Sequence, residues 1–177
     1  MNVSVRRATD ADAALLSSMA LKIFLDTFAM GNRPADIALH AQRAYSPEIQ
    51  LRELRDESKV WFIAEADGNP AGFAMVGEPE SKSCAAFESP VELFRFYVDK
   101  AWHGTGVAQP MMEAVADFAR SVGGRTLCLG VWERNPRAIR FYEKIGFRDV
   151  GSQPYMLGED LQTDRVMVRD IAPVSPG

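Results

Sequence analysis

The chain has 177 residues, 47% apolar and 25% charged, which fits one globular domain and leaves no room for two ordinary ones. Lys and Arg total 20 against 24 Asp and Glu, a net charge of −4; that argues against a nucleic-acid partner, because such binders are usually basic. Two cysteines, Cys84 and Cys128, and two separated histidines, His40 and His103, cannot make a disulfide framework or a four-ligand zinc site, so no metal is expected.

The opening MNVSVRRATDADAALL lacks a signal-peptide core. No stretch approaches the ~20 apolar residues of a membrane helix. The expectation is a reduced, cytoplasmic protein with no membrane partner. Residues 3–7 alternate and predict a short strand. Thr9 or Asp10 can cap the helix that follows, whose Leu16, Met19, Ala20, Ile23, Phe24, Thr27 and Phe28 share one face. GNRP at 31–34 breaks it, and two charged helical pieces, about 34–44 and 47–57, start at Pro34 and Pro47. Their weak apolar stripes predict a partly exposed cap over a site.

Residues 59–65 and 71–77 read as a hairpin around Asp67-Gly68-Asn69-Pro70. The polar run 77–90 predicts an exposed, disordered loop. A strand at 91–98 follows, then a helix with Val107, Met111, Ala114, Val115, Phe118 and Val122 on one face. A strand at 126–132, a helix at 136–145 capped by Asn135-Pro136, and strands near 147–153 and 165–170 complete the chain, with a tail at 172–177. This succession implies a single domain over 1–177 of the α/β (α+β) class, a mixed sheet with helices on its faces.

The run ELFRFYVDKAWHGTGVAQPMM at 92–112 carries the densest chemical signal. A strand ends there, and a loop with two glycines opens directly into an amphipathic helix. Amides in a first helical turn lack acceptors and sit at the positive end of the dipole. Gly104 and Gly106, having no Cβ, let the backbone approach an anion. A plain glycine turn without a ligand fits the same string. A P-loop does not, because no G-x-x-x-x-G-K-S/T occurs; nor does a dinucleotide fingerprint, since Val107-Ala108-Gln109 follows Gly104-Thr105-Gly106 without a third glycine.

His103-Gly104-Thr105-Gly106-Val107-Ala108, with the strand before it, resembles the coenzyme A signature of the GNAT N-acetyltransferase superfamily, with His103 where Gln or Arg is usual. That resemblance implies a mostly antiparallel sheet of six to seven strands with splayed central strands. It implies acetyl-CoA as co-substrate, held along the backbone of Phe96, Tyr97 and Val98 like an added strand. In LGVWERNPRAIRFYEKIGF at 129–147, Asn135 matches a cofactor-contacting Asn and also suffices as a plain helix cap. Tyr142 matches the family's Tyr, a phenol that can protonate the departing thiolate. Glu92, six residues before Val98, matches the general base of histone-type members and shares a face with Phe94, Phe96 and Val98 if no bulge intervenes. Arg137, Arg140 and Lys144 could reach phosphates, as many helix-surface cations could.

Nearly the whole chain, about 3–171, is also similar to the PaiA-type spermine/spermidine acetyltransferases. The strings TFAMGNRP after FLD, G-V-W-E-x-N and the closing Q-T-D carry that likeness. It implies acetyl transfer to a primary amine of a small acceptor, with polyamines in its range. Asp26, Glu133, Glu159 and Asp160 could attract such an acceptor, and Trp61 and Trp132 could line its pocket, with core packing the better default for Trp61. Protein lysine or N-terminal acetylation, or acetyl-CoA binding without turnover, are the competing readings. A homodimer is common in the superfamily, and no residue here demonstrates one.

Overall fold

The apolar spacings settle into elements close to the predicted positions. In the computed structural model, which describes residues 1–172, these are β1 (Val3–Arg7), α1 (Ala13–Phe28), α2 (Pro34–Ala44), α3 (Pro47–Leu54), β2 (Lys59–Ala66), β3 (Asn69–Gly77) and α4 (Lys82–Ala85). They continue with β4 (Pro90–Val98), α5 (Ala108–Ser121), β5 (Thr126–Trp132), α6 (Pro136–Lys144), β6 (Arg148–Leu157) and β7 (Asp160–Asp170). Residues 173–177 of the expected tail lie outside the described residues.

The strands form one open sheet in the order β1-β2-β3-β4-β5-β7-β6, antiparallel at every pairing except β4 with β5. The α1 stripe of Leu16, Ile23 and Phe24 buries one face against Trp61, Ile63 and Phe73. On the other face, Met111, Met112 and Val115 of α5 pack on Phe62, Ala64 and Leu127. Each fully buried side chain of this kind contributes about 1.5–3 kcal/mol.

The centre of the sheet comes apart along a seam. β4 and β5 pair only at Pro90–Thr126, Val91–Leu127 and Glu92–Cys128. Beyond Glu92, β4 keeps β3 as partner and β5 keeps β7. A bulge causes the divergence: Val76 pairs Leu93 while the adjacent Met75 pairs Arg95, leaving Phe94 extra and bending β4.

Two stretches depart from expectation. The run 77–90 is neither disordered nor wholly exposed, because α4 lies within it and Cys84, completely buried, forms a disulfide with Cys128 of β5. That pairing corrects the expectation of a reduced chain. The spacing of two cysteines 44 residues apart gave no hint that α4 folds back onto β5. The closing strands are longer than expected and meet in a hairpin whose tip sits on α2. Glu159 N–H donates to Asp36 at 3.1 Å, and Gln162 Nε2 donates to Asn32 Oδ1 at 2.7 Å. Gly158 has φ +61° and lies so close to Asp36 that a Cβ there would meet its Cα at 2.6 Å. Among the described residues, no helix is long and apolar enough to cross a membrane.

Candidate active site

The splay opens into a cavity of about 990 Å³. Its lining includes Phe96, Tyr97, Val98, His103, Gly104, Gly106, Val107, Ala108, Asn135 and Tyr142, ten of the twelve candidates singled out by the sequence. Thr105 and Glu92 are the other two.

The loop before α5 is shaped by its glycines. Gly104 and Gly106 have φ of +75° and +92°, a left-handed geometry that strains any residue with a Cβ. A Cβ at either would touch nothing, so conformation, not space, requires glycine. Among the described residues, the N–H groups of Gly104, Gly106, Val107 and Ala108 have no backbone acceptor outside the helix, and no side chain caps α5. These donors stand at the positive end of a 14-residue helix. Val107 anchors the loop by burying its side chain in the core. Thr105 differs from its neighbours: its N–H and hydroxyl both donate to the Trp102 carbonyl, at 3.4 and 2.6 Å. It holds the turn and does not face the cavity.

The strand edge contributes alternate residues. Asp99 N–H donates to Ala71 on β3 at 2.8 Å, so antiparallel alternation turns the Tyr97 backbone toward β3 as well, and those of Phe96 and Val98 into the gap. Tyr97 therefore offers its side chain rather than its amide. His103 Nε2 donates to the Val98 carbonyl at 2.8 Å, and Arg137 Nη1 donates to His103 Nδ1, which fixes the tautomer. Arg137, Arg140 and Lys144, a turn apart on α6, line the cavity. The unpaired amides, the bare glycines and these cations fit the diphosphate of a coenzyme.

Asn135 caps α6 by accepting the Ala138 N–H at 3.2 Å, and it also lines the cavity. Tyr142 is 7% exposed, among Phe96, Phe141 and Phe147. Burial raises its phenol above the ordinary range, so it keeps its proton at neutral pH.

Glu92 is the main correction. The bulge at Phe94 breaks the alternation that would have put Glu92 on the face of Phe96 and Val98. Its buried carboxylate accepts the N–H groups of Glu80 and Ser81 at 2.7 and 3.0 Å. It holds the 77–90 segment and does not line the cavity.

Asp164 was missed. It belongs to the closing Q-T-D string, and nothing in that string signals that it is more buried than Asp26, Glu133, Glu159 or Asp160. Of those, Asp26 lines the cavity yet is paired with Lys22 at 3.0 Å, and Glu133, Glu159 and Asp160 do not line it. Asp164 is 8% exposed and does line it. Burial, reinforced by the nearby Glu133 charge, pushes its carboxyl up to about 6. Gly130 on β5 makes room for it, since a Cβ there would meet Asp164 Oδ2 at 3.0 Å. The only sequence signal was that glycine in an apolar strand; in the ladder Asp164 pairs with Trp132, two positions on from Gly130. Trp61 stays in the core, and Trp132 lines the cavity.

The comparisons with known proteins agree with this geometry. Residues 21–147 match the acetyltransferase (GNAT) family. An N-acetyltransferase of Mycobacterium bovis is 32% identical over 92% of this chain and 99% of its own length. The spermine/spermidine N(1)-acetyltransferase of Bacillus subtilis is 28% identical over 79% of this chain and 93% of its own. Among solved structures, the PaiA N-acetyltransferase of Thermoplasma acidophilum, crystallised with coenzyme A, superposes with a TM-score of 0.79 at 19% identity, covering 96% of this chain and 99% of that one. The chain belongs to the GNAT acetyltransferase family. It is an acyltransferase that uses acetyl-CoA.

Proposed function

We propose that the protein transfers the acetyl group of acetyl-CoA to a primary amine of a small acceptor, a polyamine or related alkylamine, by direct attack in a ternary complex. The observation that carries this reading is the continuity of one cavity. It runs from the open amides of the Gly104–Ala108 loop, through the gap between β4 and β5, to a chamber under α1 and α2 lined by Phe24, Phe28, His40, Tyr155 and Asp164. Two substrates can therefore meet at the gap without a carrier residue.

The loop amides and the α6 cations bind the diphosphate, and Asn135 orients the arm beside them. Phe96 and Val98 present backbone donors and acceptors along that arm. Acetyl-CoA bound there supplies an activated thioester carbonyl. The N–H of Val98 faces the gap and stabilises negative charge gathering on the carbonyl oxygen, which contributes a few kcal/mol because the donor is fixed beforehand. Tyr142, neutral and buried, gives its proton to the departing sulfur. Placing both partners in one cavity supplies much of the remaining acceleration.

The name of the Bacillus subtilis relative favours polyamines within the amine class. The docked β6–β7 tip favours a small acceptor over a protein surface, since it closes the α2 side of the chamber. A screen of spermidine, spermine, lysine peptides and free amino acids, followed by thiol release from acetyl-CoA, tests the proposal. The expected result is turnover of the alkylamines. Acetyl-CoA binding with no thiol release from any amine would overturn it in favour of a non-catalytic binder.

A further inference from the structure

Direct attack needs a neutral amine. An alkylamine like the Lys side chain, with a pKa of about 10.4, presents only about one neutral molecule in 10³ at pH 7. Glu92 does not line the cavity, and its carboxylate is already taken up by the Glu80 and Ser81 amides. The chamber under α1 and α2 holds a better-placed group.

Its wall is an aromatic row. Trp132 and Phe28 lie 5.1 Å apart between centroids, Phe28 and Phe24 5.1 Å, and His40 and Tyr155 5.9 Å, all tilted, while Phe24 and His40 stack at 4.8 Å. Aromatic faces attract alkylammonium groups. Burial and the Arg95 charge lower the His40 pKa, which keeps its imidazole from competing as a cation. Asp164 stands beside this row, more than nine-tenths buried. Neither a hydrogen bond nor a cation among the described residues offsets the cost of its charge. A carboxylate so placed lacks the partner that buried charges ordinarily have.

We propose that Asp164 takes the proton from the acceptor ammonium, in a subsite whose aromatic wall admits alkylammonium compounds and whose unpaired carboxylate turns away amines carrying a carboxylate beside the nitrogen. The proposal rests on the acetyl-transfer reading above and names its missing base and acceptor class. The Asp164 carboxylate accepts one proton from the ammonium, freeing the nitrogen lone pair. That pair forms the N–C bond to the thioester carbonyl, and the C–S bond breaks with its electrons on sulfur. Sulfur takes the Tyr142 proton, the nitrogen's second proton returns to the phenolate, and the proton on Asp164 leaves to solvent. The products are one amide, one thiol and one released proton.

The groups facing Asp164 are few. Glu133 adds negative charge; the Tyr97 and Tyr155 phenols stay neutral because burial raises both; and Gln153 shares the space beside Gly130 as a neutral amide. The rate should therefore fall as pH drops through about 6.

The test compares wild type with Asp164→Asn between pH 5 and 9, using spermidine, trifluoroethylamine (a weakly basic amine, neutral at pH 8) and aspartate. The variant should lose ~10²-fold or more of kcat/KM for spermidine at neutral pH, and its rate should keep rising with pH up to 9 in step with the neutral amine, where wild type levels off above about 6. Trifluoroethylamine should lose under ~10-fold, because it needs no base, while acetyl-CoA affinity by calorimetry stays unchanged. A carboxyl-carbon NMR titration of the wild type, which needs no variant, should find Asp164 near 6. Equal losses for both amines, a variant as fast as wild type, aspartate as the preferred acceptor, or an ordinary carboxyl titration would each overturn the proposal. If wild type acetylates alkylamines and the variant is unaffected, only the role of Asp164 falls. If wild type acetylates nothing, the amine reading falls with it.

Discussion

The two ends of the β4–β5 seam are built from the same pair of strands and behave oppositely. At the closed end, three residue pairs hold β4 to β5, the Cys84–Cys128 disulfide ties α4 beneath them, and the Glu92 carboxylate gathers the amides of Glu80 and Ser81. At the open end no pairing joins the strands, and the cavity takes its place with Val98, Gly130, Tyr142 and Asp164 on its walls. A single bulge at Phe94 separates the two regimes. Splaying a sheet exposes backbone groups that want partners, so a fold that keeps one end open needs the other firmly closed. The division of labour is physical: staples below the bulge, chemistry above it.

The largest effect should come from the open end. Tyr142→Phe removes one hydroxyl from a buried aromatic cluster, so packing is kept while the proposed proton donor is lost. Steady-state kinetics should show kcat lower by ~10²–10⁴-fold, with acetyl-CoA affinity by calorimetry within about twofold of wild type. A kcat loss of less than threefold would remove the phenol from the reaction and leave the open end a binding groove only.

At the closed end the expected loss is of stability, not of chemistry. The disulfide closes a loop between residues 44 apart, for which the chain-entropy account gives roughly 4 kcal/mol. Replacing both cysteines by alanine should lower unfolding free energy by about 2–4 kcal/mol in a denaturant titration. Acetyl-CoA affinity, measured where both forms are folded, should change less than about threefold. Loss of binding without loss of folding would mean that the staple positions the cradle as well as the seam.

What the sequence could and could not disclose follows the same division. The cradle was legible because its requirements are local. Glycines with positive φ, a helix start and the strand before it occupy consecutive positions, and Asn135 and Tyr142 fall in one short string. The closed end was not, because its partners are brought together by the fold. Nothing near Cys84 announces Cys128, and nothing near Glu92 announces that the amides of Glu80 and Ser81 will turn back onto it. Strand periodicity assumes an unbroken count of two, and one extra residue at Phe94 moved Glu92 to the other face. Asp164 was hidden for the opposite reason. Its burial depends on Gly130, diagonal to it on β5, and on helices more than a hundred positions earlier, so no local string marks it out.

The smallest predicted effect separates the two regimes most directly. Glu92→Gln keeps shape and one acceptor oxygen, enough to hold the Glu80 and Ser81 amides, but removes the charge that strengthens those bonds. Charge-assisted bonds contribute more than neutral ones by about 1 kcal/mol, so the variant should lose about 1–2 kcal/mol and several degrees of Tm. Its kcat/KM should stay within about twofold of wild type from pH 6 to 9. A general base behaves otherwise: its removal slows the reaction most at low pH, where the amine is fully protonated, and the deficit vanishes as the amine deprotonates at high pH. Observing that profile for Glu92→Gln would show that the carboxylate leaves its two amides and reaches the gap during turnover. The bulge at Phe94 would then be a movable joint rather than a fixed boundary, and the two ends of the seam would act as one site.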